Sequence, residues 1–220
     1  MAQATVEVSG LLFDMDGVLV SSIGSVLRSW RRWAKHYGLN PEKIVIPHGV
    51  RAIDIMTQLK PDIDKVEGLK LIEDIEISDT ADLEVLAGVR TLLESLPVHR
   101  WAIVTSATRR LLLGRLKAAG LPVPDRIISG DQVKRGKPDP EPYCRGAKLL
   151  GVQPEDCLVF EDAPSGVRAG VAAGCSVLGV LGTHNAEELR EAGAKWIVNS
   201  LTKVRTETRD GRIAVIIDAI

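Results

Sequence analysis

The sequence predicts an α/β fold: a doubly wound parallel sheet with a small helical cap inserted after the first strand. Three observations carry this. Short apolar runs that open into polar or glycine residues alternate with helix-period stretches, the helical stretches end on glycine, and residues 21–85 hold helical patterns with no good strand. Alternation of this kind requires parallel strands whose crossover helices cover both faces.

Taken in order, residues 8–13 read as a first buried strand, broken by Asp14-Met15-Asp16-Gly17. Alternation turns Met15 back into the core and leaves both aspartates facing one side, while Gly17 frees the backbone to turn. Helical periods follow at 25–37, 51–59 and 65–75, separated by Pro41, Pro47 and Pro61. One crossover helix suffices to join parallel strands, so the others are assigned to a cap over the sheet's functional edge, residues 21–85, with 1–20 and 86–220 forming the core domain. Further strands are expected at 101–105, 127–129, 158–160 and 177–181. Helices are expected at 109–119, 141–150 and 167–173, each followed by glycine (Gly120, Gly151, Gly174) as a helix C-terminus favours. Around Asp210-Gly211 the alternation over 203–217 reads as a hairpin.

Composition narrows the function. With 220 residues, 45% hydrophobic and 26% charged, the chain is of ordinary globular type. Its 28 basic and 29 acidic residues are interspersed, giving a net charge of −1 and no basic stripe, so nucleic acid is not an expected partner. No apolar run is long enough for a membrane span, and the N-terminal residues lack the basic and apolar regions of a secretory signal. Cys144, Cys157 and Cys175 are odd in number, widely spaced and free of any Cys-x-x-Cys pair, which fits unpaired thiols in a reducing cytoplasm. A cytoplasmic location and a monomer are the expectations.

In sheets of this type ligands bind beyond the carboxyl ends of the strands, and four polar segments stand there or follow closely. These are Asp14-Met15-Asp16, Thr105-Ser106, Gly136-Lys137-Pro138-Asp139-Pro140 and Glu161-Asp162. Each has a plain structural reading. Thr105 could satisfy nearby backbone, Lys137 could be a solvated charge, and Glu161-Asp162 could cap the following helix. Their joint occurrence in one alternating chain points instead to a shared site. Two carboxylates facing one pocket are tolerable chiefly when a cation or a shared proton compensates them.

These motifs resemble those of the haloacid dehalogenase superfamily of phosphotransferases, over nearly the whole chain. Within it they are most similar to the glycerol-phosphatase and 2-deoxyglucose-6-phosphatase subgroup. The segments Trp101-Ala-Ile-Val-Thr-Ser106, Asp131-Gln-Val-Lys-Arg-Gly-Lys-Pro-Asp-Pro-Glu-Pro-Tyr143, Val159-Phe-Glu-Asp-Ala-Pro-Ser-Gly166 and Pro47-His-Gly-Val-Arg51 carry that likeness. The resemblance implies a phosphatase that hydrolyses small sugar or polyol phosphate monoesters through an aspartyl phosphate with Mg²⁺. Asp14 would be the nucleophile and Asp16 the acid and base. Asp14, Asp162 and the main-chain carbonyl of Asp16 would hold the metal, with Glu161 contributing directly or through water. Thr105, Ser106 and Lys137 would bind the phosphoryl group. Arg51 and His48, in the cap, are the candidate contacts to the rest of the substrate.

Elementary electrostatics supports these roles. A carboxylate and a phosphate ester repel, so a cation and a lysine are needed for approach, and Mg²⁺ suits a few hard oxygens with retained waters. There are departures from the family pattern. Val18 stands where threonine is common, and Ser21 where many members have aspartate, which leaves open what orients Lys137. Competing readings are a haloacid dehalogenase, a phosphonatase, a β-phosphoglucomutase-type phosphomutase and a non-catalytic phosphate-binding module. The second acid and Glu161-Asp162 argue against the first, and no cap lysine has the context a phosphonatase needs.

Overall fold

The chain starts with two strands where residues 8–13 had suggested one. In the computed structural model, which describes residues 2–209 and 211–220, β1 (Ala2–Val8) and β2 (Gly10–Phe13) belong to different sheets. The pattern does change at the break. Residues 3–8 alternate between exposed and more buried positions, whereas all four residues of β2 are buried. A single apolar run spans both because each strand buries at least one face.

A two-residue strand β3 (Val20–Ser21) leads into helices α1 (Ile23–His36), α2 (Ala52–Leu59) and α3 (Lys65–Ser78). Asp64 caps α3 by accepting from the N–H groups of Val66 and Glu67. The return strand β4 (Glu84–Val85) pairs antiparallel with β3, so this segment does contain strand, in pieces too short to show a period. The three helices share a hydrophobic cluster of their own around Trp30, Trp33, Met56 and Ile72.

The rest alternates strand and helix: α4 (Val89–Glu94), β5 (Trp101–Val104), α5 (Arg109–Ala119), β6 (Ile127–Ile128), α6 (Glu141–Leu150), β7 (Cys157–Glu161), α7 (Pro164–Ala172), β8 (Ser176–Val180), α8 (Ala186–Glu191) and β9 (Trp196–Val198). Of these, α4, α8 and β9 are additions to the elements expected from sequence. Gly120 and Gly151 end α5 and α6 in the left-handed conformation. The six-stranded sheet runs β6-β5-β2-β7-β8-β9, every pairing parallel. Alternate residues of β2 supply its two faces. Leu11 and Phe13 join one core cluster with Ile103 and Phe160, and Leu12 joins the other with Val159 and Tyr143.

Strands β10 (Val204–Arg209) and β11 (Arg212–Ala219) form the expected hairpin, although Asp210 lies outside the described residues. β1 pairs antiparallel with β11, making a three-stranded sheet β1-β11-β10 whose Ile213, Val215 and Ile217 join the first core cluster.

Candidate active site

Strand order decides which motifs meet. Central β2 lies between β5 and β7, with Phe13 level with Ile103 on one side and Phe160 on the other. The next residue along each strand therefore brings Asp14, Val104 and Glu161 abreast, the position beyond which α/β sheets bind ligands. Lys137 reaches this point from the loop between β6 and α6. Its Nζ donates to Asp14 Oδ1 at 2.6 Å, to Glu161 Oε1 at 2.7 Å and to the Val104 carbonyl at 3.0 Å. All three ammonium protons are thus committed, so Lys137 differs from the phosphoryl contact expected of it and instead holds Asp14. This answers what orients Lys137.

Glu161 accepts from four donors: Lys137 and the Tyr143 hydroxyl at 2.7 Å on Oε1, and the N–H groups of Asp162 and Ala163 at 3.0 and 3.2 Å on Oε2. Its geometry is that of an anchor for Lys137. Asp162 accepts from the Thr183 hydroxyl at 2.6 Å. Gly17, at φ +83°, is required here, because a Cβ would fall 1.9 Å from Asp162 Oδ2.

Asp14, Glu161 and Asp162 are all buried and offer oxygens within 4.8 Å of one another. Burial, with Glu161 and Asp16 adding to it, outweighs Lys137 and pushes Asp14 up to about 7. Burial followed by Glu161 and Asp14 pushes Asp162 well above the usual carboxylate range. Burial works against the charge of Lys137 too, yet Asp14 and Glu161 hold its pKa above that of an ordinary lysine. One buried ammonium among three buried carboxylates leaves negative charge to be compensated. The donor set, hard oxygens only, fits Mg²⁺.

Asp16 stands at the mouth of this cluster. Ser22 Oγ donates to its Oδ1 at 2.7 Å and Arg115 Nη1 to its Oδ2 at 2.6 Å. Arg115 is buried on α5, and its Nη2 donates to Glu76 Oε2 of α3 at 2.8 Å. Neither Arg115 nor Glu76 was singled out from sequence. Their signal was a charge on an apolar helix face: Arg115 follows Leu111 by four residues, and Glu76 follows Ile72 by four.

Asp14, Asp16, Asp162, Thr105, Ser106 and His48 line a cavity of about 90 Å³ between the strand ends and the helices. Thr105 Oγ1 accepts from the Ala107 N–H at 3.1 Å, leaving its own proton for another partner. Ser106 differs from the expectation, since its hydroxyl donates to the Gly49 carbonyl at 2.6 Å and ties the core to the helical segment. The His48 ring meets that of His184 edge-on at 5.9 Å, and burial lowers its pKa.

Arg51 does not line this cavity. It pairs with Asp54 at 2.7 Å and donates to the carbonyls of Val133 at 2.9 Å and Gly130 at 3.4 Å. Its expected contact with substrate is replaced by a clasp between helical segment and core, because two carbonyls and a carboxylate already satisfy the guanidinium. Arg51→Ala is expected to cost about 2 kcal/mol, a fall in Tm of about 4–8 °C, while altering kcat/KM for different esters in equal proportion. Thermal melts and a two-substrate comparison check this.

A family model described as haloacid dehalogenase-like hydrolase matches residues 11–180. This chain belongs to that family. The haloacid dehalogenase-like chain is 39% identical to hexitol phosphatase A of Escherichia coli over 201 residues, covering 89% of this chain and 92% of the relative. It is 33% identical to glycerol-1-phosphate phosphohydrolase 2 of Saccharomyces cerevisiae, covering 91% and 86%. Among solved structures, a putative β-phosphoglucomutase from Thermotoga maritima matches with a TM-score of 0.63 and 34% identity, covering 86% and 93%.

Proposed function

We propose that this protein hydrolyses small sugar or polyol phosphate monoesters through an aspartyl phosphate on Asp14, with Mg²⁺. The observation that carries this reading is the placement of Asp14 beside Asp162 and directly above the committed ammonium of Lys137. The relatives' names, a hexitol phosphatase and a glycerol-1-phosphate phosphohydrolase, support the substrate class.

In the first step an Asp14 oxygen bonds to phosphorus and the bond to the leaving oxygen breaks. That oxygen takes the electron pair and receives a proton from Asp16. In the second step Asp16 takes a proton from water, whose oxygen attacks phosphorus. The bond to Asp14 breaks, releasing inorganic phosphate and restoring the carboxylate. Lys137 holds Asp14 in place, and the Thr105 hydroxyl is free to donate to the phosphoryl group. Asp14 and Asp162, with the Asp16 carbonyl, would hold Mg²⁺, which when bound supplies compensation for the charge gathered on the phosphoryl oxygens.

At about 90 Å³ the cavity is far smaller than the roughly 300–1,000 Å³ of ordinary ligand pockets. A sugar phosphate therefore enters when the helical segment, residues 21–85, separates from the core, and reaction follows closure, which excludes bulk water. A panel of phosphate esters with and without Mg²⁺ tests the reading. Phosphate release only with Mg²⁺ supports it, and no release from any ester overturns it. With β-glucose 1-phosphate, accumulation of glucose 6-phosphate in place of free phosphate would identify a mutase.

Metal binding also carries a pH signature. The raised pKa values of Asp14, Glu76 and Asp162 mean that the folded protein retains protons the unfolded chain has released. Stability of the metal-free protein is therefore fully supported below about pH 4 in this respect and declines as pH rises toward 7. A fixed Mg²⁺ concentration equal to a hundred times the Kd at pH 7.5 is expected to add about 2.7 kcal/mol there. It adds less at pH 5, where protonated carboxylates weaken binding, so the shift in Tm is larger at pH 7.5. Equal shifts at the two pH values would contradict it.

A further inference from the structure

We infer that Glu76 selects the leaving group, accepting a hydrogen bond from a hydroxyl of a neutral polyol and rejecting esters that carry a second anionic group. This rests on the phosphatase reading above and goes beyond it to the chemistry of the alcohol released.

Glu76 is only 6% exposed, yet it lines the same cavity as Asp14 and Asp16. Its Oε2 is held by Arg115, while Oε1 makes no hydrogen bond among the described residues. A buried carboxylate with one oxygen open to a cavity calls for a donor, and a hydroxyl supplies a charge-assisted hydrogen bond.

Position identifies whose hydroxyl it is. Arg115 places one arm on Asp16 and the other on Glu76, so the two carboxylates stand one guanidinium apart. Asp16 faces the leaving oxygen, and the atoms attached to that oxygen enter beside Glu76. The surrounding charge is mainly negative, since burial holds the His48 imidazole of the lining toward its neutral form. Glu73 lines the cavity one helical turn earlier, bonded to Thr108 and, at 3.0 Å, to Arg110. Among the described lining residues Arg115 is the one guanidinium, and both its arms are taken by carboxylates. A second phosphate or a carboxylate on the substrate would meet Glu76 and Glu73 with no uncommitted cation to offset them. A hydroxyl meets an acceptor. The same feature disfavours a mutase, which must hold a bisphosphate.

The test compares kcat/KM of the full chain with Mg²⁺ for glycerol 3-phosphate and 3-phosphoglycerate, which share a three-carbon frame and differ by a carboxylate. It is run at pH 8.5, where Glu76, pushed up to about 7 by burial, is ionised. The wild type is expected to favour glycerol 3-phosphate by at least about 100-fold. Glu76→Gln keeps an oxygen for Arg115 and removes the charge, and should shrink that ratio by about 10-fold or more, mainly through KM. A ratio of two substrates does not depend on the folded fraction, so partial misfolding of the variant cannot mimic the result. Should the variant yield no folded protein, the wild-type ratio decides. Equal use of both esters, preference for 3-phosphoglycerate, or a ratio unmoved by Glu76→Gln overturns the inference. Failure of the underlying phosphatase reading looks different: the wild type then hydrolyses neither ester.

Discussion

Asp14→Asn is expected to lower kcat by at least about 10⁴-fold without a comparable change in KM, because an amide cannot form the phosphoryl–enzyme bond. Mass spectrometry of the wild type quenched during turnover should show a phosphate adduct on the Asp14 peptide, absent in the variant. The same substitution should leave the metal-free fold at least as stable at pH 7.5. Asparagine still offers Lys137 a carbonyl oxygen, and it removes one of three buried carboxylates whose oxygens lie within 4.8 Å. Opposite signs for activity and stability are what a nucleophile held in an unfavourable electrostatic position should show. A variant that retains turnover with alkyl phosphates would rule out Asp14 as the nucleophile.

Lys137→Met should damage both properties together. Its ammonium is the shared partner of Asp14 and Glu161, with side-chain exposures of 0% for Lys137 and Glu161 and 5% for Asp14. Removing it leaves two buried carboxylates without their cation, a change that typically costs about 3–5 kcal/mol. At roughly 2–4 °C per kcal/mol for a domain of this size, Tm should fall by about 6–20 °C. The loss should be greater at pH 8 than at pH 5, since protonation relieves the stranded carboxylates at the lower pH. Mg²⁺ should recover part of the stability and little of the activity, because a cation on the cavity side cannot replace the ammonium beneath Asp14. Scanning calorimetry at the two pH values, with and without Mg²⁺, measures all of this. A Tm within 2 °C of wild type would mean that Lys137 is not the counter-ion the distances imply.

These two substitutions concern residues already visible in the sequence. Asp14, Lys137, Glu161 and Asp162 were legible because each stands where an apolar strand or a proline turn breaks into charge, a local pattern. The strand–helix rhythm and the helical interruption after the first strand were legible for the same reason. The division at Ser9 between β1 and β2 was harder to see, since hydrophobicity reports that a strand is buried and not which sheet buries it. Short β4 and β9 carry too few residues for a period to emerge.

The sequence by itself determined the alternating fold, the acidic and basic groups at its strand ends, and through them the family. Only the tertiary structure decided how those groups divide the work. It turned Arg51 onto the carbonyls of Val133 and Gly130, spent the Ser106 proton on Gly49, and brought Arg115 and Glu76 to Asp16 from 99 and 60 residues away. The physical reason is that strand and helix periods are set by neighbours along the chain. Hydrogen-bond partners of buried charges are set by whatever the packed elements place within about 3 Å, and that depends on sheet order and helix docking across the whole molecule.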